Sequence, residues 1–148
     1  MKDLNQVLKF LNKIPNINAG GCGISALTVY KWLKKNNSLS DDFAIIYLHF
    51  WDDGEVELNS KFLSGKSEKA TACSHAIFRY NGKLYDSNGT TELDVRTVKQ
   101  LVIKAEQIDM FMEASLSATT SWNSSFVRAQ AIPLITKKVG VDLGLVQC

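Results

Sequence analysis

The dipeptide Asn81-Gly82 constrains the fold of this chain more than any other short segment. A type I′ turn needs positive φ at both of its central residues, and asparagine followed by glycine meets that need well. Residues 73–80 and 83–87 on either side are rich in the aromatic and β-branched side chains that strands favour. The sequence therefore predicts a β-hairpin in which Tyr80 pairs with Lys83 and Phe78 pairs with Tyr85.

Two helices are predicted ahead of this hairpin. The first carries apolar side chains at the spacing of one helical face, with Asp3 placed to cap its start and Pro15 to end it. These apolar residues are Leu4, Val7, Leu8 and Leu11. The second helix follows the glycine-containing segment 16–23 and covers residues 24–35, with lysines at its negative end. Cys22 is therefore expected at, or just before, the N-terminus of a buried helix.

The remaining segments complete an α+β pattern. Residues 43–51 and 55–58 are predicted to form another hairpin across Asp52-Asp53-Gly54. A helix is predicted to begin at Asp94, because Val95, Val98, Leu101, Val102 and Ala105 fall on one side of it. A further helix, including residues 131–139 and kinked near Pro133, is expected to pack on the sheet.

Size and composition limit the classes of protein to consider. A chain of 148 residues with 45% hydrophobic and 22% charged residues is typical of one globular domain, here residues 1–148. The 17 basic and 15 acidic side chains leave a net charge of +2. Such a balance argues against a protein that mainly coats nucleic acid or an anionic membrane.

The sequence also bears on compartment. Its N-terminus lacks the continuous apolar stretch of a signal peptide, and the apolar run 43–51 is too short to cross a bilayer. Three cysteines without CxxC spacing favour a reducing environment over a disulfide-stapled secreted domain. We therefore expect a cytoplasmic or virion-associated protein.

Cys22 is the candidate nucleophile. A thiol reacts as its thiolate, which is favoured by the positive end of a helix and by a nearby imidazolium. Gly20, Gly21 and Gly23 remove side chains around Cys22, so a substrate backbone could approach closely. This setting predicts an accessible thiol.

His75 and Asp86 are the candidate base and its orienting acid. If the hairpin register continues beyond Phe78, alternation places His75, Ile77 and Arg79 on one face with Asp86 and Asn88. Asn88 would then lie directly opposite His75 and Asp86 diagonally, within reach of a hydrogen bond that fixes the imidazole tautomer.

Three alternatives compete with this assignment. Asp86 could instead form a cross-strand ion pair with Arg79, and Asn88 could be the residue that orients His75. A zinc site could use Cys22, Cys73, His75 and Cys148, but zinc ligands usually come in close pairs from tight turns and these are scattered. The prediction is therefore a site without metal or cofactor.

The segment Asn-Ala-Gly-Gly-Cys22-Gly before a helix, followed by His75-Ala-Ile-Phe-Arg-Tyr-Asn-Gly-Lys-Leu-Tyr-Asp86, resembles the papain-like cysteine hydrolase superfamily in its compact bacterial and phage forms. The resemblance spans roughly residues 16–89, but the chain has no glutamine before Cys22 and no aromatic residue after it. It implies a papain-like α+β fold, with the nucleophile at a helix N-terminus packed on an antiparallel sheet. By position, Cys22 matches the nucleophile, His75 the base and Asp86 the orienting residue.

The resemblance also implies a chemistry. A cysteine peptidase or amidase would cleave a peptide or other amide through a thioester, with Asn16 or Asn18 and the Cys22 backbone N–H stabilising the oxyanion. Transfer of the acyl group to an amine, or deamidation, would use the same site. A non-catalytic papain-like module, for instance in a viral particle, is the alternative from a different class.

Overall fold

The computed structural model describes residues 3–17, 21–50, 75–93, 97–109 and 125–143. Within these residues the longer helices are α1 (Leu4–Asn12), α2 (Cys22–Lys35) and α3 (Ser125–Lys138), and residues 105–109 are also helical. The strands are β1 (Ala44–Phe50), β2 (His75–Tyr80), β3 (Lys83–Asp86), β4 (Gly89–Thr91) and β5 (Thr97–Lys104). They form one five-stranded antiparallel sheet in the order β4-β3-β2-β1-β5, so the fold class is α+β.

The hairpin at Asn81-Gly82 is confirmed. Strands β2 and β3 pair in the expected register, with Tyr80 opposite Lys83, and the two turn residues have φ of 50° and 77°. Asp42 caps the turn, because its Oδ1 accepts from the Asn81 N–H at 3.1 Å and its Oδ2 from the Gly82 N–H at 2.7 Å. The Ser40 hydroxyl also donates a hydrogen bond to Asp42 Oδ1. This hydrogen bond lowers the pKa of Asp42 most, and those from the Gly82 and Asn81 N–H groups add to the effect. The turn is thus fixed by backbone conformation and by a carboxylate outside the hairpin.

Replacing Gly82 with alanine should destabilise the protein by about 1 kcal/mol, because an L-residue is disfavoured at positive φ. A Cβ at Gly82 meets no atom within 4 Å, so the cost is conformational and not steric. Urea unfolding measures it, and Gly82→Asn should lose less because asparagine tolerates this region better. An unchanged unfolding midpoint in Gly82→Ala would contradict this interpretation of the turn.

Both N-terminal helices are also confirmed. The Asp3 carboxylate accepts from the Gln6 N–H at 2.9 Å and caps α1, whose buried side chains are Val7, Leu8 and Leu11. Helix α2 starts at Cys22, and every residue from Cys22 to Tyr30 is buried. Burial on all sides is expected for a helix enclosed between a sheet and other helices.

A polar cluster fixes the C-terminal half of α2 to the helical residues 105–109. The Tyr30 hydroxyl donates to Asp109 Oδ2 at 3.0 Å, and Lys34 hydrogen bonds to the same carboxylate. Burial raises the pKa of Tyr30, and its contact with Asp109 adds to that effect. Since the other end of α2 carries Cys22, this cluster restrains the helix on which the candidate nucleophile lies.

The predicted helix that begins at Asp94 is wrong where the structure describes it. Residues 97–104 form strand β5, which pairs with β1. The apolar residues in this segment fit both a helical face and an alternating strand, and short apolar runs are ambiguous in this way. The strand alternates as expected, with Ile103 buried between exposed Val102 and Lys104. Pairing along the whole length of β1 favours the strand.

The chain also turns earlier after β3 than the predicted register requires. Strand β3 ends at Asp86, and Asp86 pairs with Gly89 across a second tight turn that leads into β4. The prediction that Asn88 lies opposite His75 is therefore wrong. The chain reverses through Ser87 and Asn88, and the positive φ of Gly89, at 115°, lets β4 begin directly after this turn.

The main core lies between one face of the sheet and the helices. It includes Tyr30, Phe43, Tyr47 and Phe78, with Phe43 and Phe78 stacked at 5.8 Å between ring centroids. The C-terminal helix is confirmed as α3 and contributes Ala131, Ile132 and Ile135 to this core, and Val139 directly after the helix joins them. The opposite face of the sheet buries a smaller cluster of Ala44, Ile46, Leu48 and Ile77.

Some predictions fall outside the described residues. These are the second strand of the first predicted hairpin (55–58), the start of the predicted helix at Asp94 and Val95, and the segments 110–124 and 144–148. Within the residues that are described, no helix combines the length and apolar character needed to span a bilayer.

Candidate active site

Cys22 is the first residue of α2. The Ser25 N–H bonds to the Gly21 carbonyl at 3.0 Å and closes the first helical turn, and the N-cap Gly21 supplies no side-chain hydrogen bond. The first N–H groups of an α-helix lack partners within the helix, so the positive end of α2 lies at the thiol. Cys22 is a free cysteine and only 7% exposed. The expectation of an accessible thiol is therefore wrong, because the helix start packs into the core.

His75 is the first residue of β2 and lies next to Asp86, the last residue of β3. His75 Nε2 and Asp86 Oδ2 are 3.4 Å apart, at the long end of the hydrogen-bonding range. The two side chains are 26% and 16% exposed, so the contact is largely shielded from water. The hairpin at Asn81-Gly82 brings these residues together, since each lies at the open end of its strand.

The His75 imidazole contacts both Asp86 and Cys22. The pKa of His75 is raised from 6.5 to about 9, first by the hydrogen bond with Asp86 and then by a hydrogen bond with the Cys22 side chain. Burial acts in the opposite direction and is outweighed. The imidazole is therefore protonated at neutral pH, and it joins a residue of helix α2 to a residue of strand β3.

Asp86 is the negative partner of this arrangement. Burial acts to raise its pKa, but the hydrogen bonds from His75 and from the Asn88 N–H outweigh burial and hold the pKa below the usual value. The Asn88 N–H donates to Asp86 Oδ1 at 2.8 Å. Asp86 is thus ionised at neutral pH, with one oxygen facing the imidazole and the other held by the backbone.

The structure distinguishes between the alternatives for Asp86. Arg79 does not pair with it, because the Arg79 Nε–H donates to the Asp42 carbonyl at 3.0 Å. Asn88 lies exposed in the turn after β3 and meets Asp86 through its backbone N–H. Of the two residues considered for orienting His75, Asp86 is therefore the one whose side chain contacts the imidazole.

The other candidate residues are not brought into the site. Asn16 is exposed with a left-handed φ of 61°, and no bond among the described residues joins it to Cys22 or His75. Asn18, Cys73 and Cys148 lie outside the described residues. Within the described part of the chain, no group of three or more metal-binding side chains occurs.

Sequence reasoning missed the role of the Asn88 backbone. A carboxylate that accepts from the N–H two residues ahead forms an Asx-turn, and Asp86-Ser87-Asn88-Gly89 has the composition of such a turn. Treating these residues as a continuing strand hid that signal. The turn supports the acid of the site as well as reversing the chain.

Comparison with family models, with characterised proteins and with solved structures finds no match to this chain. The candidate site therefore stands on its own geometry. That geometry combines a thiol at a helix N-terminus, an imidazolium in contact with it and a partly buried carboxylate behind the imidazolium. Such an arrangement can activate a sulfur nucleophile and transfer protons.

Proposed function

We propose that this chain is a papain-like cysteine hydrolase that cleaves a peptide or other amide bond with Cys22, His75 and Asp86. The observation that carries the proposal is the convergence of Cys22 and Asp86 on the single imidazole of His75. Nucleophile, base and orienting group in that order define the logic of a catalytic triad. The placement of Cys22 at the start of a buried helix next to an antiparallel sheet supports the papain-like class.

The two ring nitrogens of His75 have separate partners in this proposal. Nε2 faces Asp86, which leaves Nδ1 for the sulfur of Cys22. A protonated imidazole beside a thiol favours the thiolate, and the positive end of α2 acts in the same direction. Asp86 keeps the ring oriented and stabilises its charge.

The reaction then follows from these positions. The Cys22 thiolate adds to the carbonyl carbon, and the tetrahedral intermediate expels the amine with a proton from His75, leaving a thioester. Neutral His75 next takes a proton from water as the water oxygen attacks the thioester. Collapse of that intermediate releases the carboxylic acid and restores the thiolate.

The start of α2 can stabilise the oxyanion. Gly21 provides no side-chain cap, so the N–H groups of the first turn, including that of Cys22, are available to a negatively charged oxygen. Gly21 and Gly23 on either side add no side chain at this point. A capping serine or aspartate in place of Gly21 would compete for these donors.

Alkylation tests the proposal directly. In a Cys73→Ser/Cys148→Ser variant, Cys22 is the remaining thiol, and iodoacetamide labelling followed by intact mass gives its rate. The ionised fraction of an isolated cysteine thiol falls about 75-fold when the pH is lowered from 8 to 6. Because His75 stays protonated over that range, labelling of Cys22 should fall less than about 10-fold.

The matched control keeps Cys148 alone, in a Cys22→Ser/Cys73→Ser variant, and should show the steep pH dependence of an ordinary thiol. A small electrophile is needed because Cys22 is only 7% exposed. Labelling of Cys22 as steep as that of Cys148, or no labelling in the folded protein, would contradict the proposed function.

A further inference from the structure

The turn between β3 and β4 holds the carboxylate of Asp86 by its other oxygen. Oδ2 faces His75 at 3.4 Å, and Oδ1 accepts the Asn88 N–H at 2.8 Å. Asp86 also pairs with Gly89 across the turn, so its backbone and its side chain are both restrained by the same few residues. A carboxylate held in this way has little freedom to rotate away from the imidazole.

Gly89 gives the turn its shape. Its φ is +115°, beyond the left-handed region that asparagine or aspartate can adopt, so the position requires glycine. A Cβ added there meets no atom within 4 Å, which means that the requirement comes from the backbone and not from crowding. Ser87, in the same turn, is only 4% exposed and anchors the turn against the body of the protein.

We propose that the turn formed by Ser87, Asn88 and Gly89 is a positioning element for the candidate triad, and that Gly89 is its positioning residue. By its backbone conformation, Gly89 presents the Asn88 N–H to Asp86 Oδ1 and so aims Oδ2 at His75. This inference rests on the proposed function for its catalytic meaning. The geometry of the turn itself does not depend on that function.

Two glycines of positive φ allow a matched comparison. Gly82 lies in the two-residue turn between β2 and β3, Gly89 directly follows the two-residue turn between β3 and β4, and a Cβ at either position would meet no atom within 4 Å. Alanine at either position should lower stability by the conformational route. The turn containing Gly89 holds Asp86, whereas the turn containing Gly82 is held by Asp42.

The experiment follows the His75 imidazole by NMR during a pH titration of the full chain, with its signals assigned through a His49→Gln variant. Among the described residues, the groups that face His75 are Asp86 from β3 and Cys22 from α2. In Gly89→Ala the midpoint of the His75 titration should fall by about 1 pH unit, because the carboxylate is no longer aimed at the ring. In Gly82→Ala it should stay at the wild-type value.

A second variant removes the same hydrogen bond in another way. Asn88→Pro lacks the N–H that Asp86 Oδ1 accepts, and it should shift the His75 midpoint in the same direction as Gly89→Ala. Equal midpoints in Gly89→Ala, Gly82→Ala and wild type would overturn the proposal. Loss of folding in Gly89→Ala while Gly82→Ala remains folded would also overturn it, because the turn would then be a structural element only.

The outcome is separable from that of the proposed function. The NMR titration reports whether the turn controls His75, whereas the pH dependence of Cys22 alkylation reports whether the thiol is activated. A shifted His75 midpoint with unactivated Cys22 would support the positioning role and contradict the hydrolase. An activated Cys22 with an unshifted His75 midpoint would support the hydrolase and contradict the positioning role.

Discussion

Replacing His75 with alanine is expected to slow the acylation of Cys22 by p-nitrophenyl acetate by about 100-fold to 10,000-fold near neutral pH. His75 is the ring that contacts both Cys22 and Asp86, so its loss removes the proton-transfer group and the positive charge beside the sulfur together. The measurement is the release of p-nitrophenolate, whose initial burst should approach one equivalent per Cys22 in the wild type. Cys22→Ser should abolish that burst.

His49→Ala is the matched control, because His49 is the other histidine of the chain and lies on strand β1. It should retain the burst, whereas His75→Ala should lose it with the folded state intact by circular dichroism. At pH above 10 the rate of His75→Ala should approach that of the wild type, since an ordinary thiol is then ionised without help. Equal burst rates for the two alanine variants would show that His75 takes no part.

Local chemistry explains the parts of this fold that the sequence predicts. Asn81-Gly82 dictates a turn by its backbone preference, and the register of β2 and β3 follows from that turn. Asp3 and the apolar face behind it define α1 in the same local way. The positions of the candidate residues Cys22 and His75, at a helix start and on a hairpin strand, could be predicted because both are local features.

The parts that sequence reasoning misses depend on contacts distant in the chain. Strand β5 exists because residues 97–104 pair with β1, about fifty residues earlier, and the apolar pattern of β5 alone suits a helix equally well. The burial of Cys22 depends on packing between α2 and the sheet, which its glycine neighbours do not reveal. Asn88-Gly89 carried a local turn signal, but continuing the first hairpin through it hid the Asx-turn at Asp86.

The same ion pair should make stability depend on pH in a defined window. The pKa of His75 is about 9 in the folded protein against an ordinary value of 6.5, so folding favours the protonated ring. This contribution is fully present below pH 6.5 and is lost as the pH rises through 9. A thiol that ionises on folding would offset this loss in the wild type, so the measurement uses a Cys22→Ser variant, in which urea unfolding at constant ionic strength should show a falling free energy of unfolding between pH 6.5 and 9.

Asp86→Asn should flatten this profile, because the hydrogen bond with Asp86 is the largest cause of the raised pKa of His75. At pH 6 the variant should be less stable than the wild type, and the two should converge towards pH 10, where the wild-type His75 is neutral as well. Asp41→Asn is the matched control, since Asp41 is exposed and this substitution should leave the profile unchanged.

Asp86 acts with the opposite sign at low pH. Its pKa is lowered in the folded protein, so its contribution to stability is present above its ordinary pKa of 3.8 and is lost as the pH falls. The pair therefore contributes most between about pH 4 and 6.5, and a Cys22→Ser profile that stays flat from pH 6.5 to 9 would contradict the contact between His75 and Asp86.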